Sequence, residues 1–210
     1  MIGPGLSPLL QAFRARWEAL GGHYWESVSG PGLTETLAAA ADSLIDRVPG
    51  QTSSALWWPG PAWASLAWEA ALPPDRWTVT PVTGREPLVL IGRPMDPSAL
   101  RTAAASAALG VTGAAWAVAD TGSVALTSAP GQGLWPSLLP PSHLIVLQEA
   151  QVVATVADGL RRMRDEGPPP AMAKIISGPS STADIEGQLW IGVHGPGRVG
   201  VVVVAGAGAD

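Results

Sequence analysis

The chain reads as an α/β protein built on a mostly parallel sheet flanked by helices. Three observations predict this. Short apolar runs rich in valine and isoleucine recur along it, and the last, GRVGVVVVAG, is continuous rather than alternating, the pattern of a strand buried on both faces. Stretches with apolar residues at helical spacing lie between these runs, and strands that alternate with helices argue for layers around a parallel sheet. Finally, 210 residues that are 47% hydrophobic and 14% charged can bury a sizeable core, the opposite of a disordered composition.

The elements follow in order. Ser7 and Pro8 have the cap-then-proline order of a helix start, and Leu9, Leu10, Phe13, Trp17 and Leu20 recur at helical spacing until Gly21 and Gly22 stop the pattern. GGHYWESVSGPG reads as a loop. A second helix is expected over residues 34–47, with Leu37, Ala41, Leu44, Ile45 and Val48 on one face. WWPGPAWASLAWEAALPP reads as a short strand or turn and then a helix over about 61–71. RWTVTPV and PLVLIG read as strands, the first placed at an edge by Pro81. Asp96 and Pro97 open a helix through SALRTAAASAA that Gly110 ends.

AAWAVAD and SVALTS are strands joined tightly through Thr121 and Gly122. SHLIVLQ is a further strand, and AQVVATVADGLRRMRDE a helix with Val152, Val153, Val156, Leu160 and Met163 aligned. GPPP is a loop tip, and AKIIS and GRVGVVVVAG are the last strands. Residues 1–210 are expected to form one domain, whose first 75 residues are a mostly helical part or cap.

Composition excludes several functions. The formal net charge is −5 with no dense Lys/Arg run, which disfavours nucleic acid and anionic membranes as partners. There are no cysteines, so disulfides, thiolate catalysis and Cys-ligated zinc or iron–sulfur clusters are excluded in this chain. No apolar run is long enough to span a bilayer, and no signal-peptide pattern opens the chain; the expected compartment is the cytoplasm. Ten tryptophans and 21 prolines follow no tandem repeat.

The candidate chemistry concentrates in ISGPSSTADIEGQLWIGVHGPG. A strand ends near Ser177, Gly178 turns the chain, and Ser180, Ser181 and Thr182 precede Asp184 and Glu186. Ser181 and Asp184 have capping-box spacing, so the segment reads as a helix start. Such a start is ordinary architecture in many proteins, yet its free N–H groups also seat phosphate or carboxylate, and ligands of open α/β sheets bind at the carboxyl ends of strands. His194 stands between glycines and could serve as a base, ligand or anion donor, or simply shape a turn. Asp184, Glu186 and His194 lack any recognised metal-ligand spacing. Thr121, Gly122 and Ser123 form a second polar strand-end loop that reads equally as a hairpin turn, and His143 opens a strand as either packing or chemistry. No dinucleotide, P-loop or serine-hydrolase motif is present.

Three blocks resemble a known family. GVTGAAWAVADTGSVAL, LPPSHLIVL and GPSSTADIEGQLWIGVHGP look like those of the lactate-utilisation protein C family, which carries the LUD domain. The resemblance covers about residues 100–204. It implies an α/β fold similar to the ribose-5-phosphate isomerase and CoA-transferase superfamily, and a role in oxidising L-lactate to pyruvate beside partner subunits that carry iron–sulfur clusters. The lack of cysteine fits the cluster-free member of that set, with no cofactor of its own. Two positions depart from the family pattern: Ser181 stands where a basic residue is usual, and Asp120 where glutamate is common.

Three functions stand side by side at this stage. In the first, the chain is an accessory subunit of organic-acid oxidation. Thr121, Gly122, Ser123, Gly178, Ser180, Ser181 and Thr182 share an anion pocket for a small carboxylate or phosphate, and Asp184, Glu186 or His194 handles a proton. In the second, it is a stand-alone enzyme acting on a sugar phosphate or acyl-CoA, with Glu186 or Asp120 as base or nucleophile. In the third, it is a non-catalytic interaction module that docks through its tryptophan-rich segment.

Overall fold

Ser7 caps the first helix as expected, its hydroxyl accepting from the Leu10 amide at 3.4 Å. In the computed structural model, which describes residues 6–28, 31–58, 68–82, 89–90, 93–94, 97–128, 134–183 and 186–205, that helix is α1 (Pro8–Ala19). It is followed by β1 (His23–Val28), α2 (Pro31–Leu44), β2 (Ser53–Trp57), α3 (Trp68–Ala71) and β3 (Trp77–Pro81). The short pair β4 (Val89–Leu90) and β5 (Arg93–Pro94) precedes α4 (Pro97–Ser106), β6 (Leu109–Gly113), β7 (Trp116–Val118) and β8 (Ser123–Thr127). After a 3-10 turn at Trp135–Ser137 come β9 (Ser142–Gln148), β10 (Val152–Val153), α5 (Val156–Asp165) and β11 (Ala173–Ile176). β12 (Ser181–Ala183), β13 (Leu189–Ile191) and β14 (Arg198–Ala205) complete the chain.

Six strands form one sheet in the order β1-β14-β9-β6-β2-β3, and every neighbouring pair in it is parallel. Alternate residues of β14 explain its unbroken apolar run. Val202 and Val204 pack with Leu37, Ala41 and Leu44 of α2, whereas Val201 and Val203 pack with Leu10, Phe13 and Trp17 of α1. A second sheet, ordered β10-β7-β8-β11, stacks over the α1 side and contributes Ala117, Val124, Leu126 and Ile176 to that core. Its outer face, through Trp116, Val118 and Ala125, meets Val156 of α5. The layers therefore run from α2 through the parallel sheet to the smaller sheet, and then to α5.

Four expectations change. GGHYWESVSGPG holds a strand, β1, at the edge of the large sheet beside β14. Its residues alternate in burial only weakly, so the period-two signal was muted; together with β2 it makes the first 75 residues part of the sheet as well as helical. LGVTG forms β6 in the centre of the sheet, where Gly110 is a strand residue rather than a helix stop. The helix expected through AQVVATVADGL is interrupted: a 3-10 turn (Glu149–Gln151) and β10 come first, and α5 begins after Thr155. Thr155 and Asp158 close a reciprocal capping box there, with Oδ2 accepting from the Thr155 amide at 3.0 Å.

The fourth change concerns the signature segment. Ser181–Ala183 is not a helix start but the first strand of a hairpin, paired antiparallel with Leu189–Ile191. Capping boxes and exposed hairpins draw on the same Ser, Thr and Asp residues, so spacing could not separate them. The dipole-based anion seat expected at this point is therefore absent. Of the tryptophan-rich segment, residues 59–67 lie outside the described set.

Candidate functional site

Two turns expected to cooperate do lie together. β8 and β11 pair with Val124 opposite Ile176, which brings the Ser123 and Ser177 hydroxyls to 2.7 Å. Both turns are pinned against the end of α1 by glycines in the left-handed region. Gly122 has φ 63°, and a Cβ there would lie 2.6 Å from the Trp17 amide nitrogen; Gly178 has φ 93°, and its Cβ would lie 2.6 Å from the Leu20 carbonyl. The Thr121–Ser123 turn is thus packed against a helix instead of forming an open cradle.

The polar groups gather one step away, in a cavity of about 210 Å³ on the seam between the two sheets. Gly178, Ser180 and His194 border it, joined by His143, Lys174 and Ser137. Lys174 and Ile176 sit at alternate positions of β11, so the lysine points to the same side as the core-facing Ile176. Its ammonium donates to the Ser137 carbonyl at 2.6 Å, and burial holds its pKa below the usual lysine value. No carboxylate pairs with it among the described residues.

His143 forms the floor. It is completely buried and faces the seam from β9, where its neighbours across the sheet are Gly110 on β6 and Val199 on β14. Its Nε2 lies 2.9 Å from the Thr112 hydroxyl, while Nδ1 has no hydrogen-bond partner. Burial, reinforced by the charge of Lys174, pushes the imidazole down to about 3, so the ring is neutral at ordinary pH. Gly110 makes the arrangement possible: a Cβ there would stand 1.7 Å from the Pro136 carbonyl oxygen. Its absence lets the Trp135–Ser137 turn settle on the sheet and present the Ser137 carbonyl to Lys174.

His194 sits on the exposed turn that closes the other side. That turn is tied down by backbone bonds from the Ser180 amide to Pro196 and from the Gly197 amide to Pro141, both 2.9 Å. Ser181 and Thr182 lie on the exposed hairpin and do not border the cavity, and Glu186 is exposed beyond it. Asp184 lies outside the described residues. A larger cavity of about 570 Å³, between the end of α5 and β7–β8, is walled mainly by Trp116, Met163 and Pro168–Pro170, with Glu166 as its charged residue. Thr127 and Ser128 add hydroxyls to it, but no cation among the described residues lines it. Lys174 and Thr112 are the residues that sequence reasoning missed; for Lys174, a lysine at an inward position of a strand was the available signal.

A model of the LUD domain matches residues 76–204. The chain belongs to the LUD-domain family. Thr112, Ser137, His143, Lys174, Ser180 and His194 all fall within the matched LUD span. Relatives include proteins named lactate utilization protein C from Shouchella clausii, 38% identical over 99 residues that cover 46% of this chain and 43% of that protein, and from Deinococcus radiodurans, 40% identical over 98 residues, 45% of each. A protein of Escherichia coli named YkgG is 38% identical over 105 residues, 48% of this chain and 46% of that one. The chain thus spans about half the length of the curated relatives it matches. A crystal structure of a DUF162-family protein from Deinococcus radiodurans aligns over 96% of this chain and 100% of its own, with TM-score 0.57 and 24% identity. That likeness establishes a shared fold, and the parallel sheet flanked by helices is compatible with the superfamily expected from the sequence. Among the described residues of this LUD protein, no helix is long and apolar enough to cross a membrane.

Proposed function

We propose that this LUD-domain chain is the cluster-free component of an L-lactate or related organic-acid utilisation system, and that its inter-sheet cavity binds a small carboxylate or phosphate. The names of its relatives support the lactate-utilisation setting, and the absence of cysteine from the chain is compatible with a component that ligates no cluster. The observation that carries the second is Lys174, a half-buried ammonium bordering a small cavity with a carbonyl and a hydroxyl as its partners. An ammonium desolvated without a counter-ion is costly, and an incoming anion relieves that cost. At about 30 Å³ per water, 210 Å³ holds about seven waters, enough for a few-carbon acid. His194, at the rim, is the residue placed to exchange a proton with such a ligand. In this reading the iron–sulfur clusters belong to partner subunits, and the chain itself carries no cofactor.

Calorimetric titration with acetate, L-lactate and inorganic phosphate tests the site. The wild-type chain should bind at least one of them, and Lys174→Met should weaken that binding by about tenfold or more, the scale of a lost charge-assisted hydrogen bond. Equal affinity in the two proteins would remove the cavity from the proposal. Affinity purification from cells grown on lactate should also recover a cysteine-rich iron–sulfur protein; its absence would count against the subunit role.

A further inference from the structure

We infer that Thr112 fixes His143 in a single neutral tautomer, with the proton on Nδ1, and that this N–H is the second donor of the anion cavity beside Lys174. The inference rests on the anion reading above and adds to it a positioning residue and the chemistry of the cavity floor.

Counting donors and acceptors decides the tautomer. Among the described residues, the Thr112 hydroxyl has one side-chain partner, His143 Nε2 at 2.9 Å. If Nε2 carried the proton, it would donate to the Thr112 oxygen. The hydroxyl hydrogen would then lack an acceptor, and Nδ1 would be a bare buried lone pair: two unsatisfied groups in one place. If the hydroxyl donates to Nε2 instead, both Thr112 and Nε2 are satisfied, and one group remains open, the Nδ1 N–H. Each unsatisfied buried polar group is costly, so the second arrangement is favoured, and the bond to one ring nitrogen sets the state of the other.

The remaining donor is then explained by its setting. Nδ1 is buried without a partner on a fully buried ring, and that ring borders the cavity that also holds Lys174, Ser137 and Ser180. Lys174 turns N–H groups to the Ser137 carbonyl and hydroxyl and has a third to give. An ionised carboxylate or phosphate offers two oxygens, one to the ammonium and one to the imidazole N–H. A neutral ring donates without adding a second charge to desolvate. Thr112, on the neighbouring strand β6, does not border the cavity and acts on the anion through His143 alone.

Long-range nitrogen–proton NMR on the full chain at neutral pH tests this directly. In the free protein, His143 should show a protonated Nδ1 and a bare Nε2. On addition of acetate or inorganic phosphate, the Nδ1–H proton should move strongly downfield. Thr112→Val should lower the affinity for whichever anion binds by about tenfold while Lys174 remains in place. A protonated Nε2 in the wild type overturns the inference whatever Thr112→Val does to folding. Lys174-dependent binding that leaves the Nδ1–H signal unmoved also overturns it, but keeps the anion reading. Absence of any Lys174-dependent binding sinks the anion reading itself, and is recognised by the Lys174→Met comparison.

Discussion

His143 should make this protein measurably acid-sensitive above the range where carboxylates titrate. An imidazole in the unfolded chain has its ordinary pKa of about 6.5, whereas burial holds the folded one at about 3. The folded value is depressed, so its contribution to stability is fully present above pH 6.5 and is lost as pH falls towards 3. Between those limits the unfolded state binds one more proton than the native state, which costs about 1.4 kcal/mol per pH unit. From pH 6.5 to 5.0 the loss is about 2 kcal/mol, a large share of a typical stability of about 5–15 kcal/mol. Urea unfolding at pH 7.5, 6.5, 5.5 and 5.0 would reveal it as a falling midpoint at constant slope. The same series on His143→Gln removes the titrating group, so the variant should lose less stability over this interval whatever its absolute stability. Parallel pH profiles for the two proteins would refute the reasoning, for they would show that the buried imidazole is not what titrates.

Two packing predictions accompany it. Gly110→Ala places a Cβ 1.7 Å from the Pro136 carbonyl oxygen; because that contact is backbone, relief requires moving the Trp135–Ser137 turn. We expect a loss of about 3 kcal/mol or more in thermal unfolding and weaker anion binding, and an unchanged midpoint would show that the turn does not seat on the sheet. The buried Gln151 amide accepts from the Gln148 N–H and donates to the Ala114 carbonyl, both at 2.7 Å. Gln151→Ala leaves both backbone groups unpaired at about 1–3 kcal/mol each; a change below about 0.5 kcal/mol in urea unfolding would mean water replaces the amide.

What was legible in the sequence were the elements written in local rules. α1 announced itself through Ser7, Pro8 and an apolar stripe whose Leu10, Phe13 and Trp17 are buried. β9 and β14 did so through runs that only a strand covered on both faces needs. The hidden parts are those where tertiary context outweighs local pattern. β1 is an edge strand with half-exposed aromatic residues, and β6 contains Gly110 because a carbonyl must approach its backbone. Val152 and Val153 continue a helical stripe, yet pair with Ala117 and Val118 of β7 as a short parallel bridge. Of the residues that border the cavity, Gly178, Ser180 and His194 belong to a local cluster of polar and glycine residues that the sequence singles out. Lys174 and Thr112 do not, since each sits in an ordinary-looking strand and gains meaning only when two sheets face each other.

The seam also explains where the site sits. Ligands of open α/β sheets bind beyond the carboxyl ends of the strands, but His143 and Val199 are the second residues of β9 and β14, so the cavity lies at their amino ends. The difference follows from the second sheet. Stacked across one face of the first, it brings β11 over the start of β9 and supplies Lys174 from its own inward face. Charge at the site then does not require a residue in the signature segment. Ser181 is exposed on a hairpin strand and does not border the cavity. The cation at the cavity stands on a neighbouring strand, Lys174 of β11, and the seam around it is set by close backbone approaches at Gly110 and Gly178.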